Sequence, residues 1–256
     1  MRVLVTGATS SLGRPLIPRL VAAGHDVRAS SRRSHPPQPG VTWLVADVRG
    51  GTGLVAALAG ADAVVHLASA TRLRQSRRRV DVGGTRRVVE EAAAAGVRHL
   101  VYVSIVGVDR VPLGYYRQKL AAERVVAAGG VPYTILRATQ FFDLLDRMMR
   151  GAYTVGLLIA DRAVLAQPVD AGEVADRIVE RLRAGPLDGI EEYGGPQVMG
   201  MADAARLWLG SGGRHDRIVP VRFPGRIGRA MRAGGLTTKA VPTGERTWAE
   251  FLRRAR

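Results

Sequence analysis

The sequence predicts an α/β fold, a doubly wound parallel sheet with a smaller C-terminal lobe. Three observations lead there. Short apolar strands alternate with helices through roughly the first 150 residues. The first strand runs straight into a turn of small residues that opens a helix. After about residue 150 the alternation loosens.

Arg2 to Thr6 reads as the first strand, and a helix from about Ser11 to Ala23 follows, closed by Gly24. Asp26 to Ser30, Val41 to Ala46, Ala63 to Leu67, His99 to Val103 and Tyr133 to Leu136 read as the next five strands. Between them lie a proline-rich loop at Ser34 to Gly40 and a short helix at Thr52 to Leu58. A long helix ends at Ala95 before Gly96, and another runs from Tyr115 to Ala128. Helices at Ala171 to Arg183, Met201 to Leu209 and Thr247 to Arg254, and a strand at Ile218 to Val221, make up the rest. The expected division is a nucleotide-binding core over 1–150 and a lobe over 151–256, packed where open α/β sheets place a ligand.

Composition narrows the function. With 46% hydrophobic and 23% charged residues the chain can build a sizeable core. It has no cysteine, so thiolate metal sites and cysteine nucleophiles are excluded; no His/carboxylate cluster suggests another metal site. The start reads as a strand rather than a signal peptide, and no apolar run reaches membrane-spanning length, so the expected location is the cytoplasm. The net charge of +16 would suit an anionic partner. Yet the basic residues are spread along the chain, and only Lys119 and Lys239 are lysines. That pattern reads as an arginine-biased composition with solvated faces, so no nucleic-acid partner is expected. The densest run, Arg72 to Arg79, either meets an anionic substrate or forms such a face.

The turn after the first strand reads Thr6-Gly7-Ala8-Thr9-Ser10-Ser11-Leu12-Gly13. Small residues let the backbone approach a pyrophosphate, and the following helix directs its free N–H groups and positive dipole end at the anion. Gly7 permits the tight turn, and Gly13 permits close helix packing. In this strand–turn–helix context the loop marks a Rossmann-type dinucleotide site. At the end of the second strand, where an acid would hold the ribose hydroxyl of NAD, the sequence has Ser30-Ser31-Arg32-Arg33. Arg32 and Arg33 carry the planar donor fork that suits a phosphate, so the expected cofactor is NADP(H).

Thr6 to Gly13 resembles the TGATGxxG loop of atypical short-chain dehydrogenase/reductases of the NmrA-like, NAD(P)-binding group, with Ser10 in place of the middle glycine. The resemblance continues through Ala46-Asp47-Val48, Val65 to Ser69, Asp81-Val82-Gly83-Gly84-Thr85 (with Asp81 in place of Asn), Gly130 to Phe142 and Gln167 to Asp170. It implies that Asp47 and Val48 lie at the adenine, and that Leu67, Ala68 and Ser69 line the cofactor.

Tyr115 and Lys119 are four residues apart, on one face of a helix. In the wider reductase family this pair relays a proton, and Ser104 stands where a serine holds the substrate oxygen. The resemblance therefore implies Tyr115, Lys119 and Ser104 as catalytic residues, with Lys119 also holding the cofactor ribose. Some relatives rely on the lysine alone, and Tyr115 as a packing residue remains the alternative. Gln140 and Phe141, after the sixth strand, are substrate-binding candidates: Gln140 for a hydrogen bond, Phe141 for stacking on a flat ligand. Packing in the core is the other reading of Phe141 and Phe142. The expected function is NADPH-dependent reduction of a small carbonyl, quinone or conjugated aromatic compound, such as a tailoring step in secondary metabolism, by a monomer or homodimer without a membrane partner. The competing reading is a non-catalytic NADP(H)-sensing regulator, since a fold does not fix a function.

Overall fold

In a computed structural model of the 256-residue chain, residues 1–69, 78–153, 156–213 and 217–255 are described. The strands are β1 (Arg2–Thr6), β2 (Asp26–Ser31), β3 (Val41–Val45), β4 (Ala63–His66), β5 (His99–Ile105), β6 (Tyr133–Ala138), β7 (Leu157–Ala160), β8 (Leu165–Ala166), β9 (Gly189–Tyr193), β10 (Met199–Gly200) and β11 (Arg217–Pro220). The helices are α1 (Gly13–Ala22), α2 (Leu54–Leu58), α3 (Thr85–Ala94), α4 (Gly114–Ala127), α5 (Phe142–Ala152), α6 (Ala171–Ala184), α7 (Met201–Ser211), α8 (Gly225–Arg232) and α9 (Trp248–Arg254). A π-helical turn, Arg78–Gly84, leads into α3.

One sheet has the order β3-β2-β1-β4-β5-β6-β9. From β3 to β5 every neighbouring pair is parallel. The chain builds outward from β1 through β2 to β3, then crosses back to β4 on the other side of β1. Chain order therefore reverses between β1 and β4, where Thr6 pairs with His66. The crevice beyond the ends of such strands is where doubly wound sheets bind ligands. The six strands expected for this sheet and the one expected near Ile218 are all present, as is the doubly wound plan.

The chain forms two compact units. The first comprises Met1–Ser104, Arg117–Arg137 and Ala175–Glu191. Its central strands β1 and β4 are apolar on both faces, as a sheet covered by helices requires: Val3, Leu4, Val5, Val64 and Val65 are fully buried. α1 turns Leu16, Ile17 and Leu20 inward, at the spacing of one helical face. On the opposite face, Leu54, Leu58, Val88, Ala92, Leu100, Val126 and Ile135 form a continuous cluster.

The second unit comprises Ile105–Tyr116, Ala138–Val174 and Glu192–Arg256. Its core joins Phe142, Leu145 and Met149 of α5 to Trp208, Leu209, Trp248 and Leu252. β7 and β11 pair in parallel. A capping box, in which Thr247 and Glu250 satisfy each other's backbone, starts α9. The α5, α8 and β7–β10 elements were not anticipated from the sequence.

Candidate functional site

The loop between β1 and α1 is built on two glycines. Gly7 has φ +68°, and a Cβ there would lie 2.7 Å from the backbone nitrogen of Ala68. Only glycine allows both the left-handed turn and the close approach of the loop after β4. The space a Cβ would need at Gly13 is taken by the backbone of Ala8. Ser10 N–H donates to Gly7 O at 3.0 Å, closing the turn. Ser10 is not among the residues with positive φ, so a serine fits where the resembled pattern has glycine. Its Oγ accepts from Gly13 N–H at 3.0 Å, which leaves the hydroxyl proton to donate. Thr9 is exposed, Ser11 half-buried and Leu12 buried, so Leu12 can offer a ligand only its backbone. α1 has no acid in its first turn, and nothing there offsets its positive end. This donor-rich, acid-free turn fits a pyrophosphate.

Beyond β2, Arg32 and Arg33 are exposed. Ser31 organises their turn. Its hydroxyl donates to Arg33 O at 2.8 Å, accepts from Arg33 N–H at 3.1 Å, and lies 2.9 Å from Nε2 of His35. His35 stacks on Trp43 of β3 with ring centroids 4.1 Å apart. A cleft of about 310 Å³ opens here, lined by Ala8, Thr9, Arg14, Ile17, His35, Gln38 and Trp43. Arg14, His35, Gln38 and Trp43 were not singled out from sequence, because they come from three segments that only the fold brings together. Asp47 is half-buried and caps its own turn, accepting Arg49 N–H at 3.0 Å, while Val48 is buried.

At the switch point, Leu67, Ala68 and Ser69 follow β4 and are half-buried. Ser69 donates to the buried Asp81 carboxylate at 2.6 Å. His66 is fully buried between Thr6 (2.6 Å) and Thr85 (3.0 Å). Burial pushes its pKa down to about 3, and the charge of Lys119 adds to the effect. His66 is thus the satisfied core histidine its strand position suggests.

Ser104 and Lys119 both belong to the first unit. Ser104, near the end of β5, is buried, and among the described residues its Oγ has no hydrogen-bond partner. Lys119 on α4 is buried, donates to Val103 O at 2.7 Å and stands 4.2 Å from the centroid of the Tyr102 ring. Burial pushes its pKa down to about 8, against the pull of Asp81 and Glu123. Tyr115 lies one turn before Lys119 on α4 and is half-buried. The neighbouring Tyr116 is buried, which drives its phenol up to about 12, with Tyr115 adding to the rise.

In the second unit Gln140 is tied to backbone at both ends of its carboxamide. Nε2 donates to Leu236 O at 2.8 Å, and Oε1 accepts from Gln167 N–H at 3.1 Å. Gln167 in turn donates to Gly195 O and accepts from Thr238 N–H. Phe141 is half-buried and bridges to Val169, while Phe142 lies in the aromatic cluster with Trp248 and Phe251. The run Arg72–Arg77 and His215 lie outside the described residues. Among the described residues no group of His, Asp and Glu side chains is arranged to hold a metal, and no helix is long and apolar enough to cross a membrane.

A family model described as NAD(P)H-binding matches residues 7–184. The chain belongs to the NAD(P)H-binding family. The match covers the glycine loop, the switch point and α4 of this NAD(P)H-binding protein. Among its relatives, a 3-beta-hydroxysteroid dehydrogenase of Mycolicibacterium neoaurum is 31% identical over 183 residues, covering 67% of this chain and 44% of that one. Quinone oxidoreductase 2 of Escherichia coli is 28% identical over 189 residues, covering 71% of this chain and 60% of that one. The chain thus spans less than two thirds of the length of these curated relatives. Two solved structures share the fold. An NADPH-dependent quinone oxidoreductase of Escherichia coli, complexed with NADPH, superposes with a TM-score of 0.79 at 20% identity, over 99% of both chains. A nucleoside-diphosphate-sugar epimerase of Staphylococcus aureus gives 0.82 at 18% identity, over 99% of this chain and 100% of that one.

Proposed function

We propose that this protein is an oxidoreductase that uses NADPH to reduce a small carbonyl, quinone or conjugated aromatic compound. The observation that carries the reading is Lys119. A buried ammonium, held near pKa 8 against the carbonyl of Val103, is costly to keep, and so is the buried Ser104 hydroxyl, which has no partner among the described residues. A nucleotide sensor needs neither group. The similarity to a quinone oxidoreductase and a steroid dehydrogenase points the same way.

When bound, the nicotinamide supplies a hydride. The protein's part is binding, orientation and a proton. The turn from Gly7 to Gly13 would hold the pyrophosphate by backbone N–H groups and the Ser10 hydroxyl. Asp47 and Val48 would flank the adenine, and Leu67, Ala68 and Ser69 would line the middle of the cofactor. The stretch after β2 has no acid to hold the ribose hydroxyl of NAD, which favours the phosphorylated cofactor. Ser104 Oγ would donate to the substrate oxygen, Tyr115 would deliver the proton, and Lys119 would hold the ribose and favour the phenolate of Tyr115.

The test is turnover of NADPH with a panel of quinones and aromatic ketones, followed by loss of the reduced cofactor's absorbance. Tyr115→Phe is expected to retain NADPH affinity and lose turnover by about 10²–10⁴-fold, the usual worth of a positioned acid. Loss with Lys119→Ala but not with Tyr115→Phe would make this a lysine-dependent reductase. Tight NADPH binding without turnover of any compound would make it the sensor.

A further inference from the structure

The cleft beside the glycine loop has a one-sided chemistry. Its polar side chains are the Arg14 guanidinium, the Thr9 hydroxyl, the His35 imidazole and the Gln38 carboxamide, and no carboxylate lines it. A carboxylate is the usual partner of a ribose hydroxyl, and this cleft has none; its one fixed charge is the Arg14 guanidinium, which suits an anion. Arg14 lies in the first turn of α1, where the helix dipole opposes a cation and favours an anion beside it. It is exposed, and among the described residues it makes no ion pair. The cleft is also rigid on its far side. Trp43 backs His35, and Ser31 fixes the same ring from the end of β2. Arg32 and Arg33 do not line it.

We propose that Arg14 is the residue that selects NADP(H) over NAD(H), by gripping the ribose 2′-phosphate in this cleft together with Thr9 and Gln38. Ser31 is a positioning residue that sets the His35–Trp43 wall. The proposal rests on the NADPH reading above and makes it specific: selectivity resides on α1 rather than in the two arginines after β2. A guanidinium offers the phosphate two parallel hydrogen bonds, and the stacked rings keep the opposite wall from yielding.

The experiment titrates the full chain with NADPH, NADH and adenosine 2′-monophosphate, in the wild type and in Arg14→Gln, Arg14→Lys and Arg32→Gln. Calorimetry reads affinity, and Trp43 in the cleft wall gives a fluorescence signal for the 2′-phosphate itself. In Arg14→Gln, NADPH affinity should fall by about 10- to 100-fold, the range for a hydrogen bond to a charged group. NADH affinity should change by less than about twofold, and adenosine 2′-monophosphate binding should be lost. Arg14→Lys should recover part of the preference. Arg14 is exposed, and an unchanged melting temperature shows that the variant is folded. Equal wild-type affinity for NADPH and NADH would overturn the NADPH reading and this proposal together. A wild-type preference that survives Arg14→Gln but vanishes in Arg32→Gln would overturn the proposal alone. So would an equal loss of both cofactors in Arg14→Gln, which would place Arg14 at the pyrophosphate.

Discussion

Lys119 combines a functional candidate with a liability. An ordinary lysine holds its proton to about 10.5, whereas burial brings this one to about 8. Between those values the unfolded chain binds the extra proton, so the stability of the ligand-free protein should rise as pH increases from 8 to 10.5. Below pH 8 the buried charge carries its full penalty. Thermal melts across pH should show that rise, and Lys119→Met should remove it while raising the melting temperature at pH 7 and abolishing turnover. A flat wild-type profile would mean that the ammonium is hydrated. The spacing of Tyr115 and Lys119 made the pair visible in the sequence, but nothing there announced the burial of Lys119 or the carbonyl of Val103 that holds it. Arg14 was hidden for a similar reason. In a chain with so many arginines, only its neighbours distinguish it.

Among the elements, those with a strong period or a glycine boundary were legible. β1, α1 and the strands at the centre of the sheet fall where apolar runs and turn residues put them. β9 did not, because Glu191 and Glu192 interrupt it. Arg177 and Arg181 of α6 pair with Glu191, so a partner elsewhere in the chain makes that strand tolerable. α4 and β6 are joined in a way no local pattern reveals. Arg137 on β6 meets Glu123 on α4 through two hydrogen bonds of 2.9 and 2.7 Å, with both side chains almost fully buried. Removing one partner strands the other's charge, so Glu123→Gln should cost roughly 3–5 kcal/mol in denaturant unfolding. A cost under about 1 kcal/mol would mean that water reaches the pair. Gly7→Val should both abolish NADPH binding and lower the melting temperature, since its side chain collides with the backbone at Ala68. A variant that binds and melts like wild type would refute the geometry of this loop.

For the whole molecule, the alternating pattern was enough to define a doubly wound sheet, and the loop after β1 was enough to place its ligand end. The second unit was less legible because its core is assembled from α5, α7 and α9, segments separated by as much as a hundred residues. The charge of +16 belongs to this scale too. Several of the arginines are engaged in ion pairs within the chain, as Arg19 is with Asp176 and Arg232 with Asp161. Random duplex DNA should therefore bind only non-specifically, with Kd about 10⁻⁴–10⁻⁶ M at physiological salt and a steep loss as salt rises. Nanomolar, sequence-selective binding would restore the regulator reading.

The buried histidine between β1 and α3 has a fixed polarity. The Thr85 hydroxyl gives its one hydrogen to Asp81 O at 2.6 Å, so it can only accept from Nε2 of His66. Nδ1 is then bare and receives the hydroxyl hydrogen of Thr6. The three residues form a one-way chain, Thr6 to His66 to Thr85, closed at a backbone carbonyl. In an NMR titration the ring of His66 should stay a single tautomer, silent from pH 5 to 9. Its Nε2 proton would be among the slowest side-chain protons in the protein to trade places with solvent, a built-in reporter on whether the first strand ever parts from its neighbours.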